Sequence, residues 1–206
     1  MPTQQPSLYE HLFLLTTIMK QKIVERFSGD ALDERWRKGA STGSHDGFMD
    51  DVIDGGYFIK SQDSLASALA FIDFNNIRQY NFQDSIVIGV TKARASSLLL
   101  MGFHNNLFSN SVRLQFSASS SFMFIRSHDG TTSSDTNTDL VPDTNEHLGK
   151  IETSSANAKL TIDGVLKATH TTNLPNAKMQ PLVGGGADTT GIDRGTNVRY
   201  LEAFNT

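Results

Sequence analysis

Apolar and polar positions alternate with period two over most of this chain, in short runs separated by Gly, Asn, Asp and Ser, and that rhythm predicts strands. The clearest case is residues 159–175, KLTIDGVLKATHTTNLP. Its arms at 159–162 and 165–170 flank Asp163-Gly164, the pair that a two-residue type I′ turn requires. This hairpin is expected among the innermost pieces of an all-β sandwich. Further strands are expected at 57–60, 71–74, 84–92, 98–103, 112–116, 122–126, 147–153, 179–183 and 197–204. Residues 127–145 are polar, with only Leu140 and Val141 as apolar material, and read as a long mobile loop or a binding rim. Gly184-Gly185-Gly186 reads as the start of a flexible loop.

One segment breaks the rhythm. Within residues 7–26, Leu8, Leu12, Leu15, Met19 and Ile23 recur at spacings of four, three, four and four, which puts them on one face of an α-helix. Phe13, Leu14 and Ile18 widen the stripe, so the helix must be covered by its own sandwich, a sister chain or a larger assembly. The expected organisation is therefore a helical segment at 1–26 and a β-sandwich domain at 27–206.

Composition adds mainly exclusions. The chain has 206 residues, 38% hydrophobic and 19% charged, which suits one sizeable all-β domain. A formal charge of −4 without a basic stripe gives no reason to expect a nucleic acid partner. There are no cysteines, which removes disulfides, thiol catalysis and thiolate metal sites while leaving the compartment open. The apolar run at 11–19 is too short to span a bilayer, and it lacks the basic segment and cleavage pattern of a signal peptide. Localisation stays undetermined, with an extracellular or particle surface favoured.

Four stretches, FSGDALDERW (27–36), DGGYFIKS (54–61), HLGKIETSSANAKLTIDGVLKATHTTNLP (147–175) and RYLEAFN (199–205), resemble in order and spacing the concanavalin A-like lectin and glucanase superfamily. The resemblance runs from about Phe27 to the C-terminus. It implies a two-sheet antiparallel jelly roll in which the last strand returns beside the first. Glucanases of this superfamily carry an E-x-D-x-E run on a central strand, whose alternate glutamates flank the scissile bond. A retaining glycosidase needs two carboxyl groups about 5–5.5 Å apart, which alternate positions of one strand deliver. The strand that aligns there, SVRLQF at 111–116, has no carboxylate. Asp50 and Asp51 are adjacent and would point to opposite faces. The histidines lack HExxH spacing, no G-x-S-x-G elbow occurs, and the Gly184 run lacks the residues of a phosphate loop. The expectation is a member of the superfamily that is not an enzyme.

The resemblance also brings calcium into view, with Asp30, Asp33 and Asp54 as candidate ligands; Asp129, Asp135 and Asp139 of the polar stretch add oxygen donors. All of these acids also suit ordinary turn positions. A sugar site needs an aromatic platform and side chains that take hydroxyl hydrogen bonds. The candidates are His104, Asn105, Asn106, Phe108, Arg113, Arg126 and His128. Phe108 equally suits a plug beneath its loop, and His104 a satisfied edge histidine, whereas Trp36 is expected in the core. Arg113 and Arg126 lie in mid-strand, where a charged residue must face solvent or a groove.

The functional expectation is a recognition or attachment module whose partner is a glycan or cell-surface polysaccharide. The alternative is a structural surface or virion-type assembly protein, a homo-oligomer joined through Leu8, Leu12, Leu15, Met19 and Ile23. A glycoside hydrolase comes third.

Overall fold

The computed structural model of the chain describes residues 22–27, 31–40, 45–49, 56–61, 69–74, 80–94, 98–105, 109–115, 122–140, 143–186 and 195–206. Within them the alternation becomes fifteen strands. They are β1 (Lys22–Glu25), β2 (Trp36–Ala40), β3 (His45–Met49), β4 (Tyr57–Ser61), β5 (Leu69–Phe74), β6 (Ser85–Arg94), β7 (Leu98–His104) and β8 (Asn110–Gln115). After these come β9 (Phe124–Asp129), β10 (Ser133–Asn137), β11 (Glu146–Thr153), β12 (Ala158–Ile162), β13 (Val165–His170), β14 (Gln180–Gly186) and β15 (Gly195–Asn205).

Two antiparallel sheets pack face to face. The first runs β13-β12-β11-β6-β15-β4-β3, with β1 also paired to β15; the second runs β10-β9-β8-β7-β14-β5-β2. Between them lies one apolar core, to which the first sheet sends Tyr57, Ile59, Val87, Ile151, Leu160 and Leu201. Met101, Phe103, Leu114 and Ile125 answer from the second. Trp36 packs among them, 5.8 Å from the Phe27 ring and 5.6 Å from that of Phe74. At one end of the sandwich His170 joins the sheets, its Nδ1 2.8 Å from Ser127 Oγ and its Nε2 2.9 Å from Thr136 Oγ1.

The fold is thus all-β, a two-sheet antiparallel sandwich, as the strand rhythm implied. Four local expectations need correction. Lys22–Glu25 is not the end of a helix but a strand on the C-terminal half of β15, with Ile23 opposite Ala203. Ile23 is 3% exposed and spent on this chain's own core, so it is unavailable to an oligomer interface. Leu8, Leu12, Leu15 and Met19 lie outside the described residues. The sandwich consequently begins before residue 27.

The hairpin of β12 and β13 is at the rim of the first sheet rather than at its centre. Val165 and Leu166 on the edge strand remain 55% and 58% exposed. Residues 127–145 are largely structured: β9 continues to Asp129, whose carboxylate accepts the amides of Thr131 and Thr132, and β10 returns beside it. The Gly184–Gly186 run lies inside β14, between β7 and β5. A side chain at Gly185 would stand 2.9 Å from the Ile59 carbonyl and the Thr196 amide of the facing sheet. Gly185 therefore allows a close approach of the two sheets.

The turn itself matches the sequence reading, with Asp163 at φ 50° and Gly164 at φ 81°. Nothing lies within 4 Å of a Cβ at Gly164, so Gly164→Ala carries only the conformational cost of the left-handed region. It is expected to lower stability by about 1 kcal/mol in urea unfolding.

Beside this turn, His147 sits between two carboxylates, with Nδ1 2.7 Å from Asp163 Oδ2 and Nε2 2.9 Å from Asp143 Oδ1. With both ring nitrogens facing acceptors, the imidazolium is the form that satisfies the site. Burial alone would push the His147 pKa down, but the hydrogen bonds to Asp163 and Asp143 outweigh it and hold the pKa above its ordinary value. The stability this gives is complete below the unfolded pKa of about 6.5 and is lost as pH rises through the higher folded value. Both acids are substantially exposed and screened. His147→Gln is therefore expected to cost only about 1 kcal/mol at acidic pH, a gap that narrows in urea titrations at alkaline pH. Among the described residues, no helix is long and apolar enough to cross a membrane.

Candidate functional site

Each strand of the second sheet sends alternate side chains into the core, and the other set forms an outer face. On β8 the core takes Val112 and Leu114, which leaves Ser111, Arg113 and Gln115 outward. On β5 it takes Ile72 and Phe74, leaving Phe71 and Asp73 outward. The registers carry this face across the whole sheet. Asp135 is opposite Arg126, Arg126 opposite Arg113, and Arg113 opposite Gly102. Beyond Gly102 the line continues through Leu182 to Asp73 and ends at Arg37. Five of the seven positions in this single row are charged.

The neighbouring row holds His128, Ser111, His104 and Gln180 in register. A third row places Phe124 and Phe71 near opposite ends of the sheet. Arg126 lies over the Phe124 ring at 5.4 Å, and Phe71 meets the His104 ring edge-on at 5.7 Å.

At one end of the charged row, Asp73 is fully buried and accepts from several groups at once. Arg37 donates twice, Nε to Oδ1 at 2.9 Å and a terminal nitrogen to Oδ2 at 2.5 Å. His104 Nε2 is 3.1 Å from Oδ2, and Gln180 Nε2 donates to the same oxygen at 3.0 Å. Burial pushes the Asp73 pKa up, yet the hydrogen bonds from His104 and Arg37 win and hold it below the ordinary carboxylate value. Burial also pushes His104 down against the pull of Asp73, so the imidazole is neutral at neutral pH. With Asp73 ionised, His104 Nε2 carries the proton and donates it to Oδ2.

Toward the other end, Arg126 makes a bidentate pair with Asp135, at 2.7 and 2.6 Å. Arg113 lies along its own strand, donating Nε to Gln115 Oε1 at 3.0 Å and a terminal nitrogen to Ser111 Oγ. Burial and the nearby Arg126 lower the Arg113 pKa to about 10.

The structure thus brings four of the expected ligand residues onto one face: His104, Arg113, Arg126 and His128. Asn105 is in the β7–β8 connection, where its amide donates to the Asn110 carbonyl at 2.8 Å. Asn106 and Phe108 lie outside the described residues, as do Asp30 and Asp54. Asp33 is taken by Arg35, which donates Nε and a terminal nitrogen to it at 2.8 Å each, so this carboxylate is used in an ion pair. Asp135 is likewise engaged by Arg126. Among the described residues, no group of three side chains is placed to hold a metal ion.

Asp73, Arg37 and Gln180 escaped the sequence reading. The first two carried the same signal as Arg113, a charge in mid-strand among apolar alternation, within FIDF and WRKGA. Their partnership has no sequence signal, because β2 and β5 meet only through tertiary pairing.

Ser111, Arg113 and Gln115 are the outward positions of the strand where the resemblance places a glucanase's acids, and none is a carboxylate. The row's two acids, Asp73 and Asp135, are separated by β14, β7, β8 and β9. At ~4.8 Å per strand they stand roughly 24 Å apart, well beyond the ~5–9.5 Å that brackets a scissile glycosidic bond.

Topology and face together define a concanavalin A-like jelly roll, the fold of glycan-acting glucanases and transglycosylases. Among solved structures, the chain is similar to the Crh5 transglycosylase in complex with NAG, with a TM-score of 0.63 at 12% identity over 90% of this chain and 84% of that one. It is also similar to a β-1,3-glucanase from Mycobacterium marinum, with a TM-score of 0.61 at 11% identity over 88% and 97% of the two chains. The β-glucanase of Bacillus licheniformis gives a TM-score of 0.59 at 11% identity over 90% and 98%. No protein-family profile and no curated protein matches the sequence. These structures correct the expectation that the protein is not an enzyme, because the named proteins that share its fold over 88–90% of this chain are themselves glucanases and a transglycosylase. They lend no support to a structural or virion-type assembly role.

Proposed function

We propose that this protein is carbohydrate-active and that a glycan lies across the outer face of the second sheet, over the rows containing Arg113 and His104. The observation that carries this reading is the build of the face. Charged and amide side chains stand in register over most of the sheet's strands, held by mutual hydrogen bonds, with the half-buried Phe124 beneath Arg126 as a ring platform. Polar groups fixed in advance beside an aromatic ring are what sugar hydroxyls and sugar ring faces require. The neighbours named for NAG and for β-glucans support the same ligand class.

A second reading, cleavage or transfer of a glycosidic bond, is favoured by the Asp73–His104 contact. It pairs an ionised carboxylate with a neutral imidazole, both buried beneath the proposed binding face, and a histidine oriented by a carboxylate can exchange a proton with an oxygen brought within hydrogen-bond reach of it. The test is twofold. Affinity electrophoresis against a panel of polysaccharides should show retarded migration, and gels without any retardation would defeat the glycan reading. Release of reducing ends from a retained polysaccharide, lost in Asp73→Asn, would establish turnover; release unchanged in that variant would remove Asp73 from the chemistry.

A further inference from the structure

We infer that the cleft between residues 81–83 and 175–178, at one end of the sandwich, is a second sugar site that takes a single neutral pyranose unit. The ligand class rests on the reading of the protein as carbohydrate-active. The place does not, since none of the residues that line the cleft belongs to the rows of the outer face.

Both walls are short connections. Asn81 to Gln83 lead into β6 of the first sheet, and Pro175 to Lys178 lead into β14 of the second, so the cleft stands where chain entering one sheet passes chain entering the other. Its backbone is fixed before any ligand arrives. Tyr80 and Met179 exchange both main-chain hydrogen bonds, at 2.6 and 2.8 Å, and both are buried, so this bridge ties one wall to the other. The Asn81 carbonyl accepts the Ser85 hydroxyl, and the Asn176 amide donates to Asn110 Oδ1 at 3.2 Å. Phe82, 5% exposed, and the buried Pro175 supply the apolar part of the lining.

The polar side chains are the reverse of the backbone. Asn81, Gln83, Asn176 and Lys178 are exposed, and among the described residues their side chains make no hydrogen bond or ion pair. On the outer face, by contrast, Asp73 and Asp135 are spent on Arg37 and Arg126.

Chemistry selects the ligand. A primary amide offers a donor and an acceptor side by side, which matches a hydroxyl that both donates and accepts, and three such amides line this cleft beside the Lys178 amine. Pro175 and Phe82 suit the C–H face of a pyranose ring. No acid lines the cleft among the described residues, so it is not built for a hard cation. One amine among three amides suits hydroxyls better than an anion, for which paired guanidinium donors are the usual provision. The volume, about 270 Å³, falls just under the roughly 300–1,000 Å³ of clefts that hold drug-sized ligands, so the cleft admits one ring rather than a chain.

The test titrates the intact, isotope-labelled protein with D-glucose, D-galactose and N-acetyl-D-glucosamine, and follows the side-chain amide signals of Asn81, Gln83 and Asn176 by NMR. At least one sugar is expected to shift all three saturably. Gln83→Ala removes an exposed side chain without a protein partner and is expected to weaken that binding about fivefold or more. Equal affinity for the methyl β-glycoside of the same sugar assigns a chain end, and its loss assigns a free monosaccharide; either supports the inference. Shifts that persist unweakened in Gln83→Ala, or that fall only on outer-face residues such as Arg126 and Gln115, would overturn the cleft and leave the glycan reading intact. So would the absence of any shift while polysaccharides still retard the protein in gels. If no sugar moves a signal and no polysaccharide retards the protein, both readings fall together.

Discussion

Asp73→Ala is expected to lower stability by about 3 kcal/mol at neutral pH, a large loss for an outward-facing strand residue. Asp73 is fully buried and gathers hydrogen bonds from Arg37, His104 and Gln180, so its removal strands three donors together. Arg37 is 42% exposed and can turn to water, which keeps the loss at the lower end of the range for a broken buried pair. Buried His104 and Gln180 cannot turn away in this manner. The pH dependence identifies the cause. Because the Asp73 pKa is held below its ordinary value, its contribution is present above the unfolded pKa of about 3.9 and is lost as pH falls through the folded value. The gap between wild type and variant in urea unfolding should therefore be full near neutrality and close under strong acid. A gap that stays constant with pH would mean that packing rather than the ionised carboxylate is responsible. Asp73→Asn keeps the shape and is expected to lose less.

The contrast between Asp73 and the Asp163-Gly164 turn shows what the sequence can carry. A two-residue turn with left-handed φ at both positions is a local event, so Asp-Gly between alternating arms is enough to place it. Depth in the sheet is a different matter. The arms of β12 and β13 alternate cleanly because one side is solvated, which is a mark of the rim, whereas the continuous SIVIGV run belongs to β6 at the centre. β10, SSDTN, was illegible for the opposite reason, since an edge strand with one neighbour and almost no buried side chains needs no apolar alternation. In the candidate site, Arg113 and Arg126 were legible one at a time as charges in mid-strand. Their apposition across β8 and β9, and the line they form with Asp73 and Arg37, depends on register between strands and on hydrogen-bond partners as far as 107 residues apart in sequence. The missing carboxylates at Ser111, Arg113 and Gln115 were visible from the start. What they mean was misjudged, because an absent pair of acids speaks to one mechanism and leaves open the activities that the fold supports elsewhere.

Gly102→Ala is expected to be about as costly as Asp73→Ala, near 3 kcal/mol, by an entirely different route. Gly102 occupies the middle of the charged row, opposite Arg113 on one side and Leu182 on the other. A Cβ there would run into the Val112 carbonyl oxygen and stand 2.7 Å from the Arg113 Cα and 2.9 Å from its Cβ. Most of these neighbours are main chain, so no rotamer change relieves the contact, and β8 must move away from β7. That movement weakens the ladder that carries Ser111, Arg113 and Gln115 and displaces the one buried guanidinium of the row from its hydrogen bonds. Loss of stability should be uniform with pH, since no titrating group is removed, and this separates the variant from Asp73→Ala in the same urea titrations. Hydrogen exchange should quicken first at the amides of β7 and β8 and leave the rim hairpin of the other sheet protected. On the proposed binding face, Gly102→Ala should also weaken the glycan more than Gly164→Ala does, because only the former shifts Arg113. Equal binding by the two variants would mean that the ligand does not reach the centre of the row.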